Sequence, residues 1–338
     1  MMQRQLHHGG DLQRASDEYG IPRGDWIDLS TGINPNGWPV PEIPACVWQR
    51  LPESPESLFN SAAEYYGCGR DQLLPVAGSQ AVIQMLPTLI DAPRVAVPDM
   101  GYAEHRLAWQ RAGAQLIEYP ANSPPQALAE IARQVDLMLV INPNNPSGDR
   151  YPPDVLREVA AQLTSRQGWL LVDEAFMDLT PEQSLAEDTA RYNLVLLRSL
   201  GKFFGLAGVR AGFVLGPATL LGSVARALGP WSVSAPALYL AERALADCHW
   251  QLHERKRLVA SGKRLYELLA NSELGGLAGG GLFVTLFTPA APHYHHRLAQ
   301  QGIWTRLLDN RVGVRFGLPA NESQWQRLQT SVHLLMDR

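Results

Sequence analysis

At 338 residues the chain is long enough for one large globular unit, or for two domains sharing a core. A hydrophobic fraction of 46% with 18% charged residues excludes a disordered chain, and a formal net charge of -4 argues against a polyanionic partner such as nucleic acid. Three cysteines, Cys46, Cys68 and Cys248, lack CxxC spacing, which argues against a disulfide framework or structural zinc and suits a reducing compartment.

The N-terminus is polar, without the apolar stretch of a signal peptide, and no apolar run approaches the ~20 residues that span a bilayer. The expected location is therefore the cytoplasm. Residues 1–35 read as an arm with few periodic segments. Helical patterns follow over Ser57 to Tyr66 and Ser79 to Ile90. Arg94 to Val97 reads as a strand, Tyr102 to Ala112 as a helix, Leu137 to Ile141 as a strand and Pro153 to Ser165 as a helix. Trp169 to Val172 and Leu194 to Arg198 are further strands. This alternation predicts an α/β fold, a mostly parallel sheet covered by helices, with ligands at the C-terminal ends of its strands. After about Pro230 the texture changes. A long helical stretch, Ala235 to Asn271, leads to the Gly-rich residues 275–281 and the strand Leu282 to Leu286. A helix near 293–301, strands at Gly302 to Thr305 and Val312 to Arg315, and a last helix complete the chain. The expected division is an arm (1–35), a large domain (36–230) and a smaller α+β domain (231–338).

Three segments carry chemistry. In Ser199-Leu200-Gly201-Lys202-Phe203-Phe204-Gly205-Leu206-Ala207-Gly208-Val209-Arg210 a single lysine sits among apolar and glycine residues. Desolvation disfavours its ammonium form, and a neutral amine is the form that attacks an aldehyde. Arg210 offers a planar fork suited to phosphate. Alone, this segment is equally a Gly-rich turn with surface cations. The second, Leu170-Leu171-Val172-Asp173-Glu174-Ala175-Phe176, ends a buried strand on a carboxylate, which is either a helix cap or an anion facing a pyridine nitrogen. The third, Asn142-Pro143-Asn144-Asn145-Pro146-Ser147-Gly148, is turn-forming by composition. Three such turns at strand ends would converge on one crevice.

In this order and spacing the motifs resemble the fold-type I pyridoxal-phosphate enzymes, in the branch that includes histidinol-phosphate aminotransferase. The resemblance implies a large domain with a mostly parallel sheet, a smaller α+β C-terminal domain, pyridoxal 5'-phosphate as cofactor and a homodimer. It makes Lys202 the lysine joined to the cofactor's aldehyde and Asp173 the partner of its pyridine nitrogen. Asn145 would bond the phenolic oxygen, and Ser199 and Arg210 the phosphate. Gly78-Ser79-Gln80, opening a helix, matches the phosphate cradle, and Tyr102 matches the residue that stacks on the ring. Arg311 would grip the substrate carboxylate, with Arg315 a rival. Two departures stand out. Phe176 occupies a position that is commonly Tyr, and Leu51-Pro52-Glu53 replaces a Tyr-Pro-Asp segment.

The arm, His8-Gly9-Gly10-Asp11 followed by Asp28-Leu29-Ser30-Thr31-Gly32-Ile33-Asn34-Pro35, resembles the start of the L-threonine-O-3-phosphate decarboxylases of cobalamin biosynthesis. That resemblance implies a small phosphorylated amino acid as substrate, with carbon dioxide and (R)-1-amino-2-propanol O-2-phosphate as products. His8, Gly9, Asn34, Arg306, Arg311 and Arg315 would then serve its phosphate and carboxylate. An aminotransferase shares nearly all the cofactor residues and stays open as the alternative. A non-catalytic binding module is disfavoured by the intact lysine. His293-Tyr294-His295-His296 invites a metal, but adjacent histidines on a helix point apart, so a solvated face is expected.

Overall fold

The computed structural model describes residues 9–53, 55–310 and 312–336. Two compact units emerge, Gly37–His253 and a smaller one made of Met1–Asn36 with Glu254–Arg338. No helix among the described residues is long and apolar enough to cross a membrane.

The larger unit is built on a seven-stranded sheet. Its strands lie in the order Leu73–Val76, Gly212–Leu215, Leu194–Ser199, Trp169–Asp173, Leu137–Ile141, Arg94–Pro98 and Gln115–Tyr119. All run parallel except Gly212–Leu215, which is antiparallel to both neighbours. The central strands are continuous apolar runs because both faces are covered. Successive side chains alternate between faces. Val95, Val97, Leu137, Leu139, Leu171, Val195, Leu197 and Val214 therefore share one face. They form a single cluster with Val82, Ile83 and Leu86 of helix Ser79–Leu89 and with Leu220, Leu221 and Val224 of helix Ala218–Leu228.

This topology gathers the motifs on one edge. Val76 pairs with Gly212, which also pairs with Ser199, and Asp173 pairs with both Leu197 and Ile141. The single reversed strand matters here. Its start, Gly212, lies at the edge where its neighbours end, so the preceding Arg210 arrives beside Gly78.

The smaller unit carries a four-stranded antiparallel sheet, ordered Arg306–Leu307, Gly313–Gly317, Phe283–Phe287 and Gly276–Gly280. Ile27–Asp28 pairs in parallel with Ile303–Trp304. Tyr19, Trp26 and Trp304 meet edge to face, with ring centroids 5.8 to 6.1 Å apart.

Among the differences from the sequence expectation, two concern helices. The arm contains a full helix, Leu12–Tyr19, capped by Asp11 and ended by left-handed Gly20. The long helical stretch is two helices, Ala235–Ala246 and Cys248–Ala270. Asp247 causes the break: its carboxylate accepts from Trp250 N–H at 3.0 Å, starting the second helix, and from the Trp38 indole at 3.0 Å.

Candidate active site

Asp173 closes its strand facing the side already occupied by Leu171, and it is 5% exposed. One carboxylate oxygen accepts from Ala175 N–H at 3.0 Å, and the other lies 2.8 Å from His105 Nε2. His105 is itself 1% exposed, and its Nδ1 has no hydrogen-bond partner among the described residues. The ring proton therefore belongs on Nε2, and two N–H donors point at an acceptor-only carboxylate. Sequence reasoning missed His105. The signal was present, since His105, Ala108 and Trp109 form the i, i+3, i+4 buried stripe of helix Ala103–Arg111.

Tyr102 sits at the start of the same helix and donates to the Gln80 side chain at 3.0 Å; Gln80 in turn donates to Glu104 at 3.1 Å. Burial, with help from Glu104 and Asp173 and against Arg210, pushes the Tyr102 phenol up to about 12. That influence ties Tyr102 to Asp173 and Arg210 electrostatically.

Helix Ser79–Leu89 begins without a side-chain cap, an arrangement in which the first N–H groups can bind an anion. Gly78 precedes it at φ +76°, where a Cβ would stand 2.9 Å from Arg210 Nη2. Glycine is thus required twice, for the backbone angle and for the guanidinium's approach. Arg210 adopts left-handed geometry, φ 56°, to reach that position. Ser199 Oγ accepts from Gly201 N–H at 3.2 Å, and a Cβ on Gly201 would lie 3.2 Å from the Ala207 backbone. Lys202 is partly buried in the same loop, its Nζ 5.5 Å from the centre of the Phe176 ring. Asn145 is partly buried in the turn after Ile141, between Asn144, which donates to Met100 O, and Ser147.

Behind this edge lies a buried charge cluster that the sequence did not reveal. Arg198 donates to Glu174 and to Asp178, each at 2.6 Å, and lies over the Tyr66 ring at 4.8 Å. Glu174 also accepts from Ser184 Oγ and Leu185 N–H, and Asp178 from Tyr65. Burial opposes the Arg198 charge, but Asp178 and Glu174 outweigh it and its pKa is raised. The cluster joins the residue after Asp173 to the residue before Ser199.

The smaller unit brings together a second set. Arg306 and Arg315 are direct cross-strand partners, so both side chains leave the same face. Arg306 donates to Asp309 at 2.9 Å. Arg315 is 8% exposed, donates to Ser30 O at 2.7 Å and lies over Phe283. Burial first, and Arg306 second, pull its pKa down to about 10, with Asp28 acting in the opposite sense. Gly9 lies against Ser30, where a Cβ would be 2.3 Å from the carbonyl oxygen. Asn34 is buried and engaged by Glu254, Arg257 and the Asn36 backbone, the amide of a structural tie. His8 and Arg311 lie outside the described residues. Of the histidines on helix Ala291–Gln300, His295 bonds Thr305 Oγ1 at 2.8 Å and His296 meets the Tyr19 hydroxyl at 3.0 Å. His295 is half-buried and His296 is exposed.

A carboxylate, an amine, a ring-sized aromatic and an anion cradle on one sheet edge suit pyridoxal 5'-phosphate, the group implied by the sequence resemblance. The chain belongs to the aminotransferase class I and II family, whose model matches residues 47–334. It is 46% identical to threonine-phosphate decarboxylase of Pseudomonas aeruginosa, over 97% of either chain. It is 38% identical, again over 97% of either chain, to threonine-phosphate decarboxylase from a Sinorhizobium species. Histidinol-phosphate aminotransferase of Aeromonas hydrophila is 30% identical, over 64% of this chain and 62% of that one. Among solved structures the fold matches histidinol-phosphate aminotransferase from Sinorhizobium meliloti in complex with pyridoxal-5'-phosphate. That match has a TM-score of 0.82 at 20% identity, covering 98% of this chain and 95% of the other. It also matches L-threonine-O-3-phosphate decarboxylase from Porphyromonas gingivalis, with TM-score 0.77 at 18% identity over 92% of this chain and 99% of that one.

Proposed function

We propose that the protein is a pyridoxal-phosphate-dependent decarboxylase of L-threonine O-3-phosphate, releasing carbon dioxide and (R)-1-amino-2-propanol O-2-phosphate for cobalamin biosynthesis. The observation that carries this reading is the 46% identity to a threonine-phosphate decarboxylase along the whole chain. Likeness to the aminotransferase of Aeromonas hydrophila is weaker and covers 64%. The Arg306–Arg315 pair supports it. The two guanidinium groups leave one face of the sheet as direct cross-strand neighbours, and this substrate carries two anionic groups.

When bound, pyridoxal phosphate supplies a protonated ring that accepts the electron pair left by a broken Cα bond. The chain's residues do the rest. Asp173, oriented by His105 and Ala175, holds the proton at the ring nitrogen. The N-terminus of helix Ser79–Leu89, with Gly78, Ser79, Gln80, Ser199 and Arg210, holds the cofactor phosphate. Tyr102 covers one side of the ring, fixed through Gln80, and Asn145 bonds the phenolic oxygen. Lys202 would hold the cofactor aldehyde, and its protonated Nζ would supply the proton that takes the place of the departing carboxylate at Cα. Arg315 takes the substrate carboxylate and Arg306 its phosphate, assisted by Gly9 and, from outside the described residues, His8 and Arg311. Phe176 gives the lysine an aromatic neighbour instead of a hydroxyl, with Nζ 5.5 Å from the ring centre. A homodimer in the cytoplasm completes the reading.

The test is an assay of cofactor-loaded protein with L-threonine O-3-phosphate, beside a tube with histidinol phosphate and 2-oxoglutarate. Carbon dioxide and aminopropanol phosphate in the first tube are expected. Glutamate in the second, with no gas in the first, would make the protein an aminotransferase.

A further inference from the structure

Ser30 is 1% exposed and has a use for each of its polar groups. Its hydroxyl donates to Asp28 Oδ1 at 2.6 Å while accepting from Gly10 N–H at 2.7 Å. Its own N–H donates to the same Asp28 oxygen at 2.9 Å. Its carbonyl accepts from Arg315 Nη2 at 2.7 Å and is the atom that a Cβ on Gly9 would strike at 2.3 Å. One side chain and one carbonyl therefore meet the glycine run on one side and a buried guanidinium on the other. None of this serves secondary structure, since Ser30 lies beyond the strand Ile27–Asp28.

We propose that Ser30 is a positioning residue that couples the Gly9–Gly10 run to the anion grip of Arg315. This rests on the reading of Arg306 and Arg315 as the substrate's anion subsite. The physical argument is one of shared constraint. A guanidinium presents its donors in a rigid plane, so fixing one Nη on the Ser30 carbonyl fixes the direction of the others. The hydroxyl held by Asp28 keeps that carbonyl in place and gives Gly10 its seat. An anion on Arg315 and a seated Gly10 therefore favour the same Ser30 geometry, and by linkage each must stabilise the other. The contribution lies in substrate binding, not in bond breaking, because Ser30 touches no cofactor residue.

The experiment uses cofactor-loaded full-length protein. For Ser30→Ala, loss of the hydroxyl that donates to Asp28 and accepts from Gly10 predicts a KM for L-threonine O-3-phosphate about fivefold to tenfold higher, with kcat within about twofold. Gly9→Ala, which pushes against the Ser30 carbonyl, should raise KM similarly, and the double variant should be little worse than either single one. Independently of turnover, hydrogen exchange at the Gly9–Asp11 amides should slow when inorganic phosphate or L-threonine O-3-phosphate is added. In Ser30→Ala that slowing should disappear. Multiplying KM effects in the double variant would overturn the coupling, as would equal ligand protection in wild type and Ser30→Ala. A parallel loss of kcat and of cofactor absorbance would also overturn it, by showing a general structural role. If wild type releases no carbon dioxide yet phosphate still slows exchange in a Ser30-dependent way, the coupling stands and the decarboxylase reading falls.

Discussion

The two units treat a buried arginine in opposite ways. In the larger, Arg198 sits between two carboxylates at 2.6 Å each, and those carboxylates are bonded further by Ser184, Leu185 and Tyr65. In the smaller, Arg315 donates to a neutral carbonyl and stands directly opposite a second arginine. The first arrangement is complete within the protein and works as a brace between two strand ends. The second is electrostatically biased toward a ligand, because Arg306 acts against the Arg315 charge while burial already disfavours it. The comparison separates a buried cation held between two carboxylates from one held by a carbonyl beside a second cation.

Substitutions sharpen that contrast, and the largest effect lies at the chemistry itself. Lys202→Ala should lower kcat by roughly 10^4-fold, the upper range for a positioned proton-transfer group, while leaving the thermal midpoint within a few degrees. Carbon dioxide assays and a melting curve check both halves. Next comes the brace. Arg198→Met leaves Glu174 and Asp178 buried without their cation, and should cost about 3–5 kcal/mol of stability in chemical denaturation.

Arg315→Met should behave in the reverse sense. Losing a buried charge that contacts a ligand anion costs about 2 kcal/mol or more, so KM should rise at least roughly 30-fold. Without substrate, however, the variant should melt no lower than wild type, and in cofactor-free protein added L-threonine O-3-phosphate should raise the melting point of wild type more than that of the variant. The pH dependence follows from the direction of the shift. The folded state holds the Arg315 proton less tightly than an ordinary guanidinium does, so its burden is present in full below about pH 10 and is relieved only above it. The difference in melting temperature between wild type and Arg315→Met should therefore be flat from pH 6 to pH 9. The smallest effect is at the cofactor cradle. Gly78→Ala forces a side chain into a backbone region favoured by glycine and against Arg210, and should weaken cofactor binding about tenfold, read by absorbance titration.

Much of this was legible beforehand because it is written in local runs. Leu137–Ile141 is an uninterrupted apolar segment, and the chemical motifs follow such segments directly, so strands and motifs could be located together. The weaker strands were not legible. Gln115–Tyr119 lies at the sheet edge with mixed burial, and Leu73–Val76 contains Pro75, so neither shows a clear period. The helix break at Asp247 depends on an indole distant in sequence, which no local pattern records. His105 was readable as part of a buried stripe but passes for an ordinary helix residue until Asp173 is placed beside it. The Arg198 cluster and the Arg306–Arg315 pairing depend on register between strands, and register is a property of the folded sheet.

The most direct test follows the fate of the substrate carboxylate. L-Threonine O-3-phosphate labelled with 13C at C1 would be added to the holoenzyme together with 2-oxoglutarate, and labelled carbon dioxide and glutamate measured in the same tube. The account predicts stoichiometric labelled carbon dioxide, dependent on Lys202, with no glutamate formed. Retention of the label in a keto acid, with matching glutamate, would contradict it.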